Sequence, residues 1–240
     1  MREIELERAA VSVCPGGSDH LVVMPAPLFL RFLDEASRSH ASGLKSFGLF
    51  LARSSTEPAR PVDVFFCDPK KNRRNDREHR PGFEAQGAYF RRHHDAGFVA
   101  DAREVLSMER TARALGLCPV GLFHSHRRQP ANFSLVDYRL HNPFFGWHLV
   151  ISMRDPERPV ALVFSVDKPF DDHGLDSEVV VEDEGELPYR GPEVQQGDLV
   201  LQGRSEEIDR SLRTIEHNTF FTAAAGARSR HERRGLASFL

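Results

Sequence analysis

Short apolar runs constrain this chain most. FGLFLAR reads as a strand buried on both sides, and VDVFFCD as a second strand that ends at Asp68-Pro69. VGLF, residues 120 to 123, reads as a third, and WHLVISM and VALVFSVD as two more, separated by the turn RDPERP. Helical spacing appears between them. Phe29, Phe32, Leu33 and Ala36 recur at that spacing, with Arg31, Asp34, Glu35 and Arg38 between them. Ala102, Val105, Leu106, Ala112 and Leu115 outline a second helix, with Gly116 as its C-terminal breaker. The order is helix, strands, helix, strand, short helix, strands. It predicts an α/β sandwich built on a mixed sheet.

Other segments have a different texture. Residues 68 to 95 are strongly charged and read as a surface loop with a short aromatic-containing segment inside; a connection that long is usually functional or mobile. Residues 169 to 204 read as an acidic, turn-rich linker with one or two weak strands, and 205 to 225 as a helix carried by Ile208, Leu212 and Ile215. The basic tail after it is expected to fray. The division that follows is an N-terminal segment (1–19), one main domain (20–168), the linker (169–204) and a helical C-terminal extension (205–240).

Composition excludes several classes. A net charge of −3 gives no bulk attraction to nucleic acid or an anionic membrane, so neither is expected as a partner. Cys14, Cys67 and Cys118 are too few and too scattered for a disulfide framework or a four-thiolate zinc site, and suit a reducing compartment. The N-terminus is acidic and lacks a long apolar run, and no uncharged stretch approaches the roughly 20 residues a membrane helix needs. A soluble cytoplasmic location is the expectation.

The chemistry concentrates in HSHRRQPANFSLVD, residues 124 to 137. On an extended chain alternate side chains point the same way, so His124 and His126 face one pocket while Ser125 faces away. Ser134 suits a helix N-cap, and Asp137 follows one turn later on the same face. If the loop from 127 to 133 folds the helix start back over the histidines, two imidazoles and a carboxylate form a three-ligand site with an open fourth position. That is the pattern of catalytic zinc. Zinc would lower the pKa of a bound water and polarise a carbonyl. The Ser134 hydroxyl would donate to a developing oxyanion. The plainer reading is a strand end followed by a helix capping box.

These residues resemble the H-x-H…S-x-x-D signature of the JAMM metalloproteases, the JAB1/MPN/Mov34 family, over roughly residues 20 to 168. The resemblance implies an MPN-like mixed sheet between helices, Zn²⁺ held by His124, His126 and Asp137, and Ser134 as the oxyanion-stabilising serine. It also implies cleavage of peptide or isopeptide bonds near the C-terminus of a ubiquitin-like or sulfur-carrier protein. Arg127 and Arg128 would grip a substrate carboxylate bidentately. The pattern departs at one position. The family's general-base glutamate stands three residues before a strand glycine; here that glycine is Gly48 and the residue is Lys45. The prolines usual near this strand and around the second histidine are Gly43, Arg127 and Phe133. Glu35 on the first helix and Glu84 in the charged stretch are candidate replacement bases, and a neutral Lys45 amine is a third. A catalytically impaired binding or scaffold module that keeps the metal site is the competing class. Among other residues, His93, His94 and Asp95 read as solvated loop residues or, alternatively, as a rim that contacts an acidic partner or carboxylate tail, Trp147 and Phe133 as core, and Cys118 as a buried small residue rather than a nucleophile.

Overall fold

A computed structural model of the chain describes residues 22–170, 188–189 and 191–203. The N-terminal segment, the helix expected from 205 to 225 and the basic tail lie outside the described residues.

Eight strands and five helices are described. In chain order they are β1 (Val22–Pro25), α1 (Ala26–Ala41), β2 (Phe47–Ala52), β3 (Asp63–Phe66), α2 (Arg80–Glu84), α3 (Ala88–Arg92), α4 (Ala102–Ala114), β4 (Cys118–His126), α5 (Leu135–Leu140), β5 (Trp147–Ser152), β6 (Val160–Val166), β7 (Val194–Gly197) and β8 (Leu199–Gln202). Six strands form one sheet in the order β3-β2-β4-β5-β6-β7. Only the central pair, β4 and β5, is parallel; the other neighbours are antiparallel. β1 and β8 form a separate parallel pair. The α/β class with a mixed sheet flanked by helices is therefore what the chain adopts. Part of the expected linker forms strands: β7 extends the main sheet beside β6, and β8 pairs with β1.

Strand alternation divides the core. Phe123, Trp147, Leu149 and Ile151 point to one face, where α1 buries Phe29, Phe32, Leu33 and Ala36 against them. Each Phe, Leu or Ile among them contributes about 1.5–3 kcal/mol when fully buried. Leu49, Leu51 and Leu122 point to the other face, against α4. The helix expected there forms, and Gly116 follows it with φ +67°. Its buried face differs from the expected one, however. Met108 and Ala112 are buried, whereas Leu106 and Leu115 are more than half exposed. The helix rests on the sheet by a narrow stripe.

The charged stretch departs most from its reading as a surface loop. Two 3₁₀ turns, Pro69–Lys71 and Arg73–Asn75, precede α2 and α3. Phe83 and Phe90 are buried, and they pack with Val136 of α5. Arg74 is completely buried. Its Nε donates to the Ala96 carbonyl at 2.8 Å and its Nη2 to the Phe90 carbonyl at 2.6 Å. A buried guanidinium is tolerated because carbonyl acceptors satisfy its donors. The stretch is thus a folded cover held to the helix that carries Asp137.

Candidate metal centre

β4 runs into the site as an apolar strand and ends in His124 and His126. Ser125, between them, faces away, as alternation requires. Its amide donates to the Ser46 carbonyl at 2.7 Å, and its hydroxyl accepts from the Ser46 amide at 2.7 Å. This pair of hydrogen bonds pins the residue before β2, and with it Lys45, beside the two histidines.

Asp137 arrives from the first turn of α5. Ser134 caps that helix: its hydroxyl accepts from the Asp137 amide at 3.1 Å. In return Oδ2 of Asp137 accepts from the Ser134 amide at 2.8 Å and from the Ser134 hydroxyl at 2.7 Å. The capping box and the candidate ligand are therefore one structure. The cap occupies Oδ2 and leaves Oδ1 facing His124 Nε2 at 3.2 Å. The same contact uses the Ser134 proton, so the serine points at the carboxylate here.

His124, His126 and Asp137 converge, each offering one donor atom, all within 4.8 Å of one another. The two Nε2 atoms are 2.9 Å apart, and His126 Nε2 is 4.0 Å from Asp137 Oδ2. Donors on a tetrahedral zinc, each about 2.1 Å from the ion, stand about 3.4 Å apart. The observed spacings bracket that value.

The Pro130 carbonyl can only accept, so His126 Nδ1 carries a proton and donates to it at 2.7 Å. His126 Nε2 is then a bare lone pair. It faces His124 Nε2 in a site where burial, then His126 and Lys45, hold His124 well below the ordinary imidazole range. Burial also lowers His126, against the pull of Asp137. An extra bridging proton is disfavoured on both rings. A cation with two nitrogen donors and one carboxylate oxygen fits instead.

Lys45 lines the same cavity, with Tyr89 and Phe90 of the folded cover and Phe98 just after it. Burial pulls its ammonium below the usual range, while Asp137 and Asp95 pull it back. Asp95 is exposed, as expected of a loop residue, and at the rim of the cavity it accepts from Arg127 Nη1 at 2.9 Å. Burial alone would raise the Asp95 carboxyl, but Lys45, its own backbone and Arg127 hold it below the usual range. Arg127 is thus engaged with Asp95 rather than turned outward, and Arg128 is exposed. Glu35 pairs with Arg38 at 2.7 Å on the surface of α1, and Glu84 lies 3.5 Å from Arg80. Neither lines the cavity, so the structure brings neither candidate glutamate to the site, and of the three candidate bases only Lys45 is there. Asp137 is the only carboxylate among the described residues lining it. An apolar recess bordered by Phe47, Leu49, Phe98, Leu122 and Phe145 reaches Asp137 from the α4 side.

Sequence reasoning missed two residues. His148, on β5, faces the same side of the sheet as His124, and His141 follows α5. His124 Nδ1 lies 2.7 Å from His148 Nε2, and His148 Nδ1 lies 3.1 Å from His141 Nδ1. His141 Nε2 lies 2.6 Å from the Phe145 carbonyl oxygen. A histidine inside the apolar run WHLVISM was the available signal. Trp147 is core, as read; its indole donates to the Pro58 carbonyl at 2.9 Å. Cys118 is half-buried. Burial, then Glu104, pushes the Cys67 thiol up to about 12, so it is no nucleophile at neutral pH.

These buried rings make stability depend on pH. Burial lowers His141 from an ordinary 6.5 to about 4. Between those values the unfolded chain binds the extra proton, so stability is full above pH 6.5 and is lost as pH falls toward 4. At about 1.4 kcal/mol per pH unit, His141 alone removes about 2 kcal/mol by pH 5. Urea midpoints of the metal-free chain at pH 7 and pH 5 should show at least that fall; equal midpoints would contradict it.

The model of a family described as prokaryotic homologs of the JAB domain matches residues 25–164. That match spans more than half of the chain, and the chain belongs to this family. No curated protein matches it. Similar solved structures include the solution structure of a protein from Desulfitobacterium hafniense, 19% identical, with TM-score 0.49, covering 78% of this chain and 97% of its own. Another, from Salinibacter ruber, is 20% identical, with TM-score 0.35, covering 71% of this chain and 96% of its own. Among the described residues no helix is long and apolar enough to cross a membrane.

Proposed function

We propose that this chain is a zinc-dependent peptidase or isopeptidase that acts near the C-terminus of a ubiquitin-like or sulfur-carrier protein. A JAB-like domain with a cluster able to hold a metal fits a metal-dependent hydrolase or a JAB-type module. One observation carries the metal reading: two imidazole Nε2 atoms face each other at 2.9 Å with a carboxylate oxygen beside them. His124, His126 and Asp137 would hold Zn²⁺. When bound, zinc supplies Lewis acidity to a carbonyl and acidity to a water. The chain's own groups do the rest. The Ser134 hydroxyl, released from Asp137 Oδ2, donates to the oxyanion of the substrate. Arg128 and the free face of Arg127 attract the substrate's carboxylate, weakly at such exposure.

A second reading is a module that keeps the metal and hydrolyses poorly. It is favoured by Lys45, which lines the cavity where a carboxylate base would be needed. An ammonium there accepts no proton and is repelled by the cation. The experiment is cleavage of a fusion carrying a peptide behind a ubiquitin-like C-terminus, with zinc and with a chelator. Chelator-sensitive cleavage by the native chain supports the peptidase. No detectable cleavage by the native chain, with cleavage by Lys45→Glu at tenfold or more above the detection limit, selects the module.

A further inference from the structure

We propose that His148 and His141 are positioning residues: a file of three imidazoles, anchored on the Phe145 carbonyl, fixes the proton on His124 Nδ1 and so leaves His124 Nε2 bare for a metal ion. The inference rests on the metal reading above. It assigns work to two buried rings that no ligand set includes.

The proton order follows from one end. A carbonyl oxygen only accepts, so His141 Nε2 carries a proton and donates to Phe145 at 2.6 Å. A neutral His141 then has a bare Nδ1, which accepts from His148 Nδ1 at 3.1 Å. With its proton there, His148 has a bare Nε2, which accepts from His124 Nδ1 at 2.7 Å. His124 is left with its lone pair on Nε2, 3.2 Å from Asp137 Oδ1. Each ring has one proton and each contact inside the file has one donor; only at its end, where His124 Nε2 meets His126 Nε2 at 2.9 Å and Asp137 Oδ1 at 3.2 Å, do acceptors face one another, the place a cation would join them. Reversing any member would set two donors or two lone pairs against each other.

The anchor is itself held. The Phe145 amide donates to the Asn142 carbonyl at 3.0 Å, and the Phe144 amide to the Asn142 side chain at 3.0 Å, closing the turn before β5. Packing keeps the rings from flipping. Phe133 stands edge-on to His148 with centroids 5.2 Å apart, and both His141 and His148 are 2% exposed. His126 reaches the same state by a shorter route, through Pro130 alone. Partners that orient a metal-binding histidine commonly change metal affinity 10–100-fold when removed.

The test uses the full chain and zinc alone as the probe. His148→Leu removes the acceptor while filling the space, and His148→Gln returns an amide oxygen close to where Nε2 stood. Zinc Kd, read by chelator competition, should weaken about 10–100-fold in His148→Leu and stay within about threefold in His148→Gln. His141→Leu should weaken it less, in the same direction. ¹⁵N spectra of the metal-free native chain should show His124 and His148 protonated on Nδ1 and His141 on Nε2, a readout that survives a variant's failure to fold. A proton on His124 Nε2, or native affinity in His148→Leu, overturns the relay and leaves the metal reading standing. Absence of zinc uptake by the native chain overturns both.

Discussion

Replacing His126 with alanine is expected to weaken zinc binding about a hundred- to a thousandfold. Structural zinc sites with four protein ligands gain about 10–16 kcal/mol in all, so a single protein donor is worth several kcal/mol. Two checks separate a lost ligand from a damaged fold. Zinc at a thousandfold excess over its Kd should raise the unfolding free energy of the native chain by about 4 kcal/mol, and the variant's rise at the same zinc concentration should shrink to about 0.4–1.4 kcal/mol. The metal-free variant should still unfold cooperatively, because His126 stands at the end of β4, beyond the apolar contacts that hold the sheet to α1 and α4. A variant that keeps the full zinc-dependent rise would remove His126 from the ligand set.

Gly48→Ala is expected to have the largest effect on the fold itself, about 3 kcal/mol of lost stability. Gly48 sits in the second position of β2, paired with Phe66 on one side and Phe123 on the other. A Cβ there would overlap the Phe65 carbonyl oxygen and come within 2.9 Å of the Phe123 ring. The first neighbour is backbone inside a sheet. The second is a fully buried ring packed edge-on against Phe32 and Phe66. Neither can give way cheaply, since interiors of this density have no spare volume. Denaturant midpoints at constant m-value measure the effect; a loss under about 1 kcal/mol would mean that the two strands separate more easily than their packing implies.

Much of this architecture was legible along the chain, for reasons of period and length. FGLFLA, WHLVIS and VALVFSV are apolar runs of strand length between turn residues, and each is a strand. The histidine and aspartate trio was legible because strand alternation and helix capping are local rules. Other features were not local. Arg74 is buried because carbonyls 16 and 22 residues later turn toward it, and composition alone marks such a stretch as solvated. Asp95 reaches the rim only through the folded cover. His148 meets His124 because parallel pairing sets Leu122 opposite His148, a register no single segment encodes. Glu35 looked available on an amphipathic helix, yet its i,i+3 partner Arg38 takes it on the surface.

The Ser125–Ser46 clamp has a wider consequence. By riveting the mouth of one strand to its neighbour, it makes position 45 a fixed socket whose occupant can be exchanged without rebuilding the walls. A single codon there would be enough to exchange the chamber's cation for a second carboxylate beside Asp137, with no change required in the overall shape.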